Sequence, residues 1–526
     1  MQARAYKGHV MQRLLTLIVL IVTAVALFAA WMHPGVLDPR NVGWLLDGHD
    51  RGQSAIGLAA YLAGGGWPSL HNPLLSAPEG TSLLLTDSIP LLGLLLGPFA
   101  GALAGMQFIG AWLFACVLLQ VVFAWALVRP HAPDRPSAWF GAVLLAAMPM
   151  LFNRFGHASL CAQWLILWAL WIYVDPRRAE RPLWWVAVLG TAALVHSYLL
   201  LMVASIWAGW LLQQAAAPGR LRTFAEAAAT IGFVALLLAA QGVFGGGFQS
   251  TGTYGAFPMA LDAWWNPANP SYSALLPSSP EDHGRGFEGL NYLGAGVLLA
   301  VLVAAATRKA ALRHLLWLVP GFVVLALIAI GPQPLLWGRP VATLHLPPWL
   351  IDALDPVRAG GRLFWPATYV LTYAAIVGVL ALPRATLVLA AAVAIQAVDL
   401  APMLAAIRST STRADDPTVF TRTRDPRWPD LIARAKRVDF TPADPFVDLQ
   451  LMEEVTWRAV QTKRPVGFTY TARVSAATRA RRDAERAAFE RGEIAPSHLL
   501  IVQDGKLPPA LRRRALRIDG VTLLAP

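Results

Sequence analysis

The chain of 526 residues is 56% hydrophobic and only 14% charged, which excludes an ordinary soluble enzyme, because soluble domains carry roughly 25% charged residues. Its formal charge of +12 does not indicate nucleic-acid binding, since the arginines lie mostly in short loops between apolar runs, as in membrane proteins. Cys116 and Cys161 lie inside apolar runs and predict neither a disulfide framework nor a thiolate metal site.

The first apolar run, residues 14–32, is long enough to cross a hydrocarbon core and longer than the apolar part of an ordinary signal peptide, so we expect a retained helix. Short loops rich in Lys and Arg mark the cytoplasmic side of a membrane protein. We expect the basic N-terminus to lie on the same side as these loops, in the cytoplasm. These loops are 129–135, 177–181, 220–222, 308–313 and the turn at Arg384. The apolar runs between these loops predict an α-helical polytopic protein with about eleven transmembrane helices. The helices are expected near 14–32, 107–128, 137–152, 159–174, 183–197, 198–213, 224–243, 291–306, 315–331, 366–382 and 386–404.

The stretch LLLTDSIPLLGLLLGPFAGALAG, residues 83–105, is apolar but is not counted among these helices. Pro90 and Pro98 interrupt it, and several glycines weaken a helix there. If it crossed the membrane, the basic N-terminus and the basic loops would lie on opposite sides. We therefore expect it to lie flat on the outer surface, at the end of an outer loop over residues 33–106.

Residues 405–526 have a different composition. The stretch STRADDPTVFTRTRDP predicts a polar linker over 405–427, after a transmembrane module over 1–404. In residues 428–526 we expect a small α/β domain outside the membrane, because short strand patterns alternate there with helical periodicity. The predicted strands are 438–440, 466–470 and 498–503, and the predicted helices are 448–461 and 475–490.

Two carboxylates in the outer loop are candidate catalytic residues, Asp50 in LLDGHDRGQSAIGL and Asp87 in the 83–105 stretch. Asp50 could deprotonate an acceptor hydroxyl as a general base, or could bind that hydroxyl. Asp50 could equally be the N-cap of the helical run that follows, with Gln53 as its partner three residues on. Asp87 has the same alternative, because it precedes a helix start at Pro90.

Three further motifs place polar side chains at the outer ends of the predicted spans. They hold candidate substrate-binding residues: Arg154 and His157 in FNRFGHASL, His196 and Tyr198 in LVHSYLL, and Glu288 and Tyr292 in GRGFEGLNYLG. His157 could hydrogen-bond a sugar or a phosphate, or could be an interfacial histidine with backbone partners. For His196 and Tyr198, the alternative to substrate binding is that the side chains pack within the protein.

The segment DPVRAGGRLFWP brackets two glycines with Arg358 and Arg362 at the outer end of a predicted span. Two guanidinium groups there could hold a phosphate or diphosphate, while the glycines allow close approach of the backbone. Lipid headgroups are the alternative partners. No metal-ligand spacing appears, although an acidic outer site could hold a divalent cation.

With these residues considered together, the chain resembles the GT-C class of integral-membrane glycosyltransferases, and more narrowly a bacterial polytopic family related to that class. The resemblance rests on Asp50 in a long outer loop and on the ordered motifs LLTDSIPLLGLL, GHASL…QWLILWAL, VHSY, FEGLNYLG and GGRLFWP. It implies a GT-C-like module in the bacterial inner membrane with a periplasmic C-terminal domain. The WWD-type motif of oligosaccharyltransferases is absent from the sequence, which argues against glycosylation of protein sequons.

The resemblance also implies a function. A sugar would move from a polyprenyl-phosphate-linked donor to an envelope glycan, lipid or protein acceptor on the outer face. Asp50 would be the catalytic aspartate, Arg358 or Arg362 would hold the lipid phosphate, and Asp87 and His157 would line the site. A flippase or transporter for a lipid-linked sugar, or a non-catalytic protein of envelope assembly, is the alternative.

Overall fold

The computed structural model describes residues 2–216, 221–245, 247, 250–279, 285–307 and 312–526. Among these, seven helices are long and apolar enough to cross a membrane: Met11–Trp31, Ile109–His131, Ser197–Ala215, Leu221–Ala240, Arg313–Ile330, Gly360–Leu380 and Ala385–Asp415. Four shorter apolar helices accompany them: Pro90–Ala102, Ala158–Tyr173, Pro182–Val195 and Ala295–Thr307. The chain is therefore a multi-pass helical membrane protein, and the count of eleven spans stays a prediction.

The α-helices of the transmembrane part and of its loops have these bounds: α1 Gln2–Trp31, α2 Asp50–Gly64, α3 Pro90–Leu96, α4 Ile109–Val128, α5 Arg135–Ala146, α6 Pro149–Phe152, α7 Trp164–Tyr173, α8 Pro176–Ala179, α9 Pro182–Val195, α10 Ser197–Ala215, α11 Leu221–Ala240, α12 Arg285–Glu288, α13 Ala295–Thr307, α14 Val319–Ile330, α15 Pro348–Leu354, α16 Trp365–Leu380 and α17 Ala385–Ser409. Short 3-10 helices join or extend them at Pro34–Leu37, Leu83–Thr86, Gly97–Ala102, Arg129–His131, Ala158–Cys161, Arg313–Leu318, Asp355–Val357, Gly360–Phe364 and Thr412–Asp415.

The predicted continuous span at 137–152 is wrong, because two helices, α5 and α6, occupy it. Pro149 is the first residue of α6, and Met148 before it has an extended backbone with ψ of 132°. A proline disfavours helical backbone in the preceding residue, so α5 ends before Met148. This break places the turn with Arg154 and His157 directly after α6.

The helices pack with their apolar side chains in one core, and the opposite faces of several helices remain exposed. Leu236 on α11 and Leu327 on α14 are examples, with 66% and 67% of their surface accessible. Large exposed apolar surfaces of this kind are unusual in soluble proteins and fit contact with lipid. The segment at 83–105 forms α3 and the 3-10 helix Gly97–Ala102, and it also exposes Leu95 and Phe99. Its flat position on the membrane stays a prediction.

The outer loop folds around α2. Strands β1 (His71–Asn72) and β2 (Thr81–Ser82) form an antiparallel hairpin, and β3 (Leu335–Leu336) with β4 (Arg339–Pro340) forms a second one in a later loop. Ser54 Oγ donates to the carbonyl oxygen of Asp87 at 2.7 Å, and Ser88 Oγ donates to that of Ser54 at 2.8 Å. The approach is close because Gly57 has no side chain, and a Cβ there would lie 2.2 Å from Ser88 Oγ. The backbone of Asp87 is thereby fixed against the first turn of α2.

The C-terminal part contains a four-stranded sheet of order β5-β6-β8-β7, from β5 Arg437–Thr441, β6 His498–Val502, β7 Ala515–Ile518 and β8 Val521–Leu524. Strands β5 and β6 are parallel, whereas β8 is antiparallel to both β6 and β7. The helices are α18 Trp428–Arg434, α19 Leu449–Gln461 and α20 Ala476–Glu490, with a 3-10 helix at Pro509–Arg514. The structure confirms the predicted strands at 438–440 and 498–503 and both predicted helices, while β7 and β8 were not predicted.

The strand predicted at 466–470 is wrong, because this segment docks the C-terminal part onto the outer loop. Val466 makes only isolated bridges, one to Val438 and one to Leu75. Its N–H donates to the carbonyl oxygen of Leu74 at 2.8 Å, and the N–H of Ala472 donates to that of Leu85 at 2.8 Å. The segment therefore runs beside the outer loop and ends next to Asp87. The predicted boundaries of the linker at 405–427 stay a prediction, although α17 continues to Ser409.

Candidate functional site

Asp87 lies at the centre of a polar cluster. It follows the 3-10 helix Leu83–Thr86 in a left-handed conformation, with φ of 53°, whereas the N-cap of α3 is Ile89. Capping of α3 by Asp87 is therefore excluded. Its carboxylate accepts a hydrogen bond from Ser159 Oγ at 3.0 Å and lies 3.4 Å from His157 Nδ1 and 3.6 Å from His196 Nε2. Burial raises the pKa of Asp87, but His157 and His196 lower it below its ordinary value, so the carboxylate is ionised.

His157 joins three carboxylates. Its Nδ1 faces Asp87, and its Nε2 lies 3.6 Å from Asp50 Oδ2 and 3.6 Å from Glu288 Oε1. Burial would lower the pKa of His157, but Asp87 and Glu288 raise it to about 9. The side chain is therefore an imidazolium at neutral pH, and it offsets part of the negative charge of its neighbours.

His196 has the opposite protonation state. Its Nδ1 accepts a hydrogen bond from the backbone N–H of Tyr198 at 3.1 Å and so caps α10. A nitrogen that accepts carries no proton, so the proton of the neutral ring is on Nε2, which faces Asp87. Burial lowers the pKa of His196, in agreement with a neutral ring.

Asp50 is the most accessible carboxylate of the cluster. It begins α2 after His49, which is the N-cap, and its side chain is 39% exposed. The alternative of an N-cap at Asp50 is therefore wrong, because helical backbone already begins at this residue. Burial and the nearby carboxylate of Asp50 raise the pKa of Tyr470. Next to His157, an added Cβ at Gly156 would meet no atom within 4 Å, so open space adjoins the cluster.

Glu288 holds two buried arginines on the inner side of the cluster. Arg154 Nη1 donates to Glu288 Oε2 at 2.7 Å, and Arg362 Nη2 donates to the same oxygen. Burial raises the pKa of Glu288, but Arg362 and Arg154 lower it well below its usual range. The Arg362 guanidinium also lies over the ring of Tyr198, 4.9 Å from the ring centre. Arg362 thus already has a carboxylate partner, which it shares with Arg154.

Arg358 has different neighbours from Arg362. No ion pair joins it to a carboxylate among the residues that the structure describes, and its side chain is half-buried. Arg473 of the C-terminal part lies near it: Arg473 Nη2 donates to the carbonyl oxygen of Asp355 at 2.8 Å, and the N–H of Arg358 donates to that same oxygen at 3.1 Å. Sequence reasoning predicted Arg358 and Arg362 as a fork, whereas the structure gives Arg358 a second guanidinium neighbour from another part of the chain.

Two of the predicted site residues are engaged in packing. Tyr292 is fully buried, and its hydroxyl group donates to Asp399 Oδ2 at 2.7 Å. The hydroxyl group of Tyr198 accepts from the N–H of Ala359 at 3.0 Å. Tyr198 still borders the cluster through Arg362, but Tyr292 makes no contact with the cluster among the described residues.

The sequence analysis missed Ser159, Tyr470 and Arg473. Ser159 lies two residues after His157 in the same motif, so proximity to a candidate histidine was an available signal. Tyr470 and Arg473 had none, because they lie far along the chain, Tyr470 at the end of the segment that was predicted as a strand and Arg473 three residues after it. Within the described ranges, no group of three or more His, Cys, Asp or Glu side chains is arranged to hold a metal ion, and the divalent cation stays a prediction.

Two family models match the chain. The family described as "Domain of unknown function (DUF6311)" matches residues 21–401, and the family described as "DUF6311 C-terminal domain" matches residues 427–526. No curated protein matches. Among solved structures, the archaeal oligosaccharyltransferase AglB from Archaeoglobus fulgidus, solved with an inhibitory peptide and a dolichol-phosphate, is similar at 12% identity and a TM-score of 0.39. The match covers 87% of this chain and 64% of the length of that protein.

Proposed function

The chain belongs to the DUF6311 family, and we propose that it is a membrane glycosyltransferase. In this proposal it moves a sugar from a polyprenyl-phosphate-linked donor to an acceptor hydroxyl at the outer face of a bacterial inner membrane. The observation that carries the proposal is the juxtaposition of the accessible carboxylate of Asp50 with the His157–Asp87 pair, at one end of a helical membrane bundle.

Asp50 has the geometry of a general base. It is the most exposed carboxylate of the cluster, so an acceptor can reach it, and its Oδ2 lies 3.6 Å from His157 Nε2. The acceptor oxygen attacks the anomeric carbon, Asp50 takes the hydroxyl proton, and the bond between that carbon and the phosphate oxygen breaks. The lipid phosphate leaves with the bonding electron pair, and positioned base catalysis of this kind contributes about 10²- to 10⁴-fold to a rate.

Asp87 acts as a positioning residue for His157. It contacts His157 Nδ1 on one side and is held by Ser159 and His196 on the other. Because each of these side chains has a fixed partner, the imidazolium keeps its orientation toward Asp50. Preorganised charges of this kind stabilise a transition state without reorganisation during the reaction.

The leaving phosphate requires a cation that is not already neutralised. Arg362 is paired with Glu288, whereas no carboxylate among the described residues pairs with Arg358. Arg358 is therefore the better candidate of the two predicted arginines for the lipid phosphate.

The test compares envelope glycans and lipid-linked sugars by mass spectrometry in cells without the gene and in cells complemented with variants. Wild-type protein and Asp38→Asn, an exposed carboxylate of the same outer loop, should restore the glycan that the deletion removes. Asp50→Asn should not restore it, although it reaches the membrane in normal amount. Restoration by Asp50→Asn would reject the assignment of the base and favour the transporter or assembly alternative. Unchanged glycans and lipid-linked sugars after deletion would reject glycosyl transfer itself.

A further inference from the structure

The guanidinium group of Arg473 lies beside the backbone of Arg358, a residue from a distant part of the chain. Arg358 follows the 3-10 helix Asp355–Val357, and Arg473 follows the segment that docks the C-terminal part onto the outer loop. The Asp355 carbonyl oxygen accepts from both residues, from the backbone N–H of Arg358 and from Arg473 Nη2. Burial and the charge of Arg358 both lower the pKa of Arg473, as expected for neighbouring cations.

The negative charge nearby is too small to balance both groups. Asp355 Oδ2 lies 3.1 Å from Arg473 Nη2, but the same carboxylate also accepts hydrogen bonds from the backbone and hydroxyl groups of Thr251 and Thr253. Arg473 Nη1 is buried and has no hydrogen-bond partner. A buried donor of a charged group without a partner is costly, so the pair has unused capacity for an anion.

The surroundings of Arg473 and of the segment before Asp355 indicate which kind of anion could bind. Arg473 borders a cavity of about 370 Å³ between the outer loop and the C-terminal part. The segment that precedes Asp355 exposes large apolar side chains, namely Val341, Leu344 and Trp349, the last with 69% of its surface accessible. Exposed apolar side chains with an interfacial tryptophan are typical of a surface in contact with lipid.

We propose that Arg358 and Arg473 together bind the phosphate group of a polyprenyl-phosphate lipid, so that the C-terminal domain supplies half of the donor site. Two guanidinium groups can donate paired hydrogen bonds to separate oxygens of one phosphate. The segment that holds Arg473 also contacts the chain next to Asp87, because the N–H of Ala472 donates to the carbonyl oxygen of Leu85 at 2.8 Å. This inference rests on the proposed function for the identity of the lipid, but binding is measurable without any transfer reaction.

The experiment titrates the purified full-length protein in detergent with a polyprenyl phosphate, with the matching polyprenol that lacks the phosphate, and with inorganic diphosphate. Arg473→Gln and Arg358→Gln should each weaken binding of the polyprenyl phosphate about tenfold or more, since a hydrogen bond to a charged group contributes about 1.5–3 kcal/mol. Arg486→Gln, an exposed arginine of the same C-terminal part, should bind as wild type.

Each result has a defined meaning. Wild-type affinity in Arg473→Gln would overturn the proposal, and if that variant unfolds, wild-type affinity in Arg358→Gln would overturn it equally. Equal binding of the phosphate and the polyprenol, or binding of diphosphate alone, would overturn the lipid phosphate as the ligand. Unchanged glycans in the deletion strain together with the expected binding losses would reject the transferase and leave the phosphate site intact.

Discussion

The protonated state of His157 gives a prediction about pH and stability. Its pKa is raised from 6.5 to about 9 in the folded protein, because Asp87 and Glu288 outweigh the effect of burial. A raised pKa means that the folded state binds the proton more tightly, so the contribution is fully present below about pH 6.5 and is lost as pH rises through about 9. The shift corresponds to about 3 kcal/mol of unfolding free energy.

The assay measures the free energy of unfolding of the purified protein in detergent between pH 6 and pH 10. The wild type should lose about 2–3 kcal/mol more than His157→Gln between pH 7 and pH 10, since the variant lacks the titrating group. Taking the difference between the two proteins removes the titration of lysines, tyrosines and cysteines. His345→Gln, an exposed histidine of an outer loop, serves as the control and should follow the wild type. Parallel curves for wild type and His157→Gln would show that His157 does not hold its proton through these carboxylates.

Two further predictions concern the buried charges and the topology. Glu288→Gln should lower the free energy of unfolding by about 3–5 kcal/mol in a denaturation assay, because two buried arginines lose their partner. Glu79→Gln, which breaks a partly exposed pair with Arg481, should lower it by about 1 kcal/mol or less. Equal losses in the two variants would contradict a buried network at Glu288. Cysteines introduced at Ser69 and at Ala132 should react with an impermeant thiol reagent from opposite sides of the membrane, and labelling from one side only would contradict the predicted topology.

Local patterns predicted the elements that depend on local interactions. Uninterrupted apolar runs predicted the long helices because a span needs such a run to satisfy its backbone in lipid. The helices over 449–461 and 476–490 followed from periodicity, as did the strands at 437–441 and 498–502. The break between α5 and α6 was also readable in principle, since Pro149 lies inside the predicted span.

Long-range contacts decided the elements that the sequence did not predict. The segment 466–470 has a strand-like composition, but Val466 hydrogen-bonds to the outer loop at Leu74 while Gly467 hydrogen-bonds to Val438 of β5, and no local pattern indicates the contact with the loop. The same limit applies to the site. The sequence indicated Asp50, Asp87 and His157 one by one, each with a structural alternative. Only the fold shows that His157 contacts both carboxylates across 107 and 70 positions of the chain, and local capping rules even favoured a different role for Asp50.

The distribution of charge through the cluster explains why the exposed rim is the place for an anionic ligand. On the inner side, the carboxylates of Asp50, Asp87 and Glu288 face the cations His157, Arg154 and Arg362, so equal numbers of opposite charges offset each other. At the rim, the carboxylate of Asp355 pairs with Arg473, while no carboxylate among the described residues pairs with Arg358, so a positive charge is left over. An anion that entered the inner cluster would lose its hydration and gain no unpaired cation, whereas an anion at the rim gains one. Asp50 is the carboxylate of the inner cluster that solvent and an acceptor can best reach, so the candidate base is accessible while the excess positive charge lies at the rim.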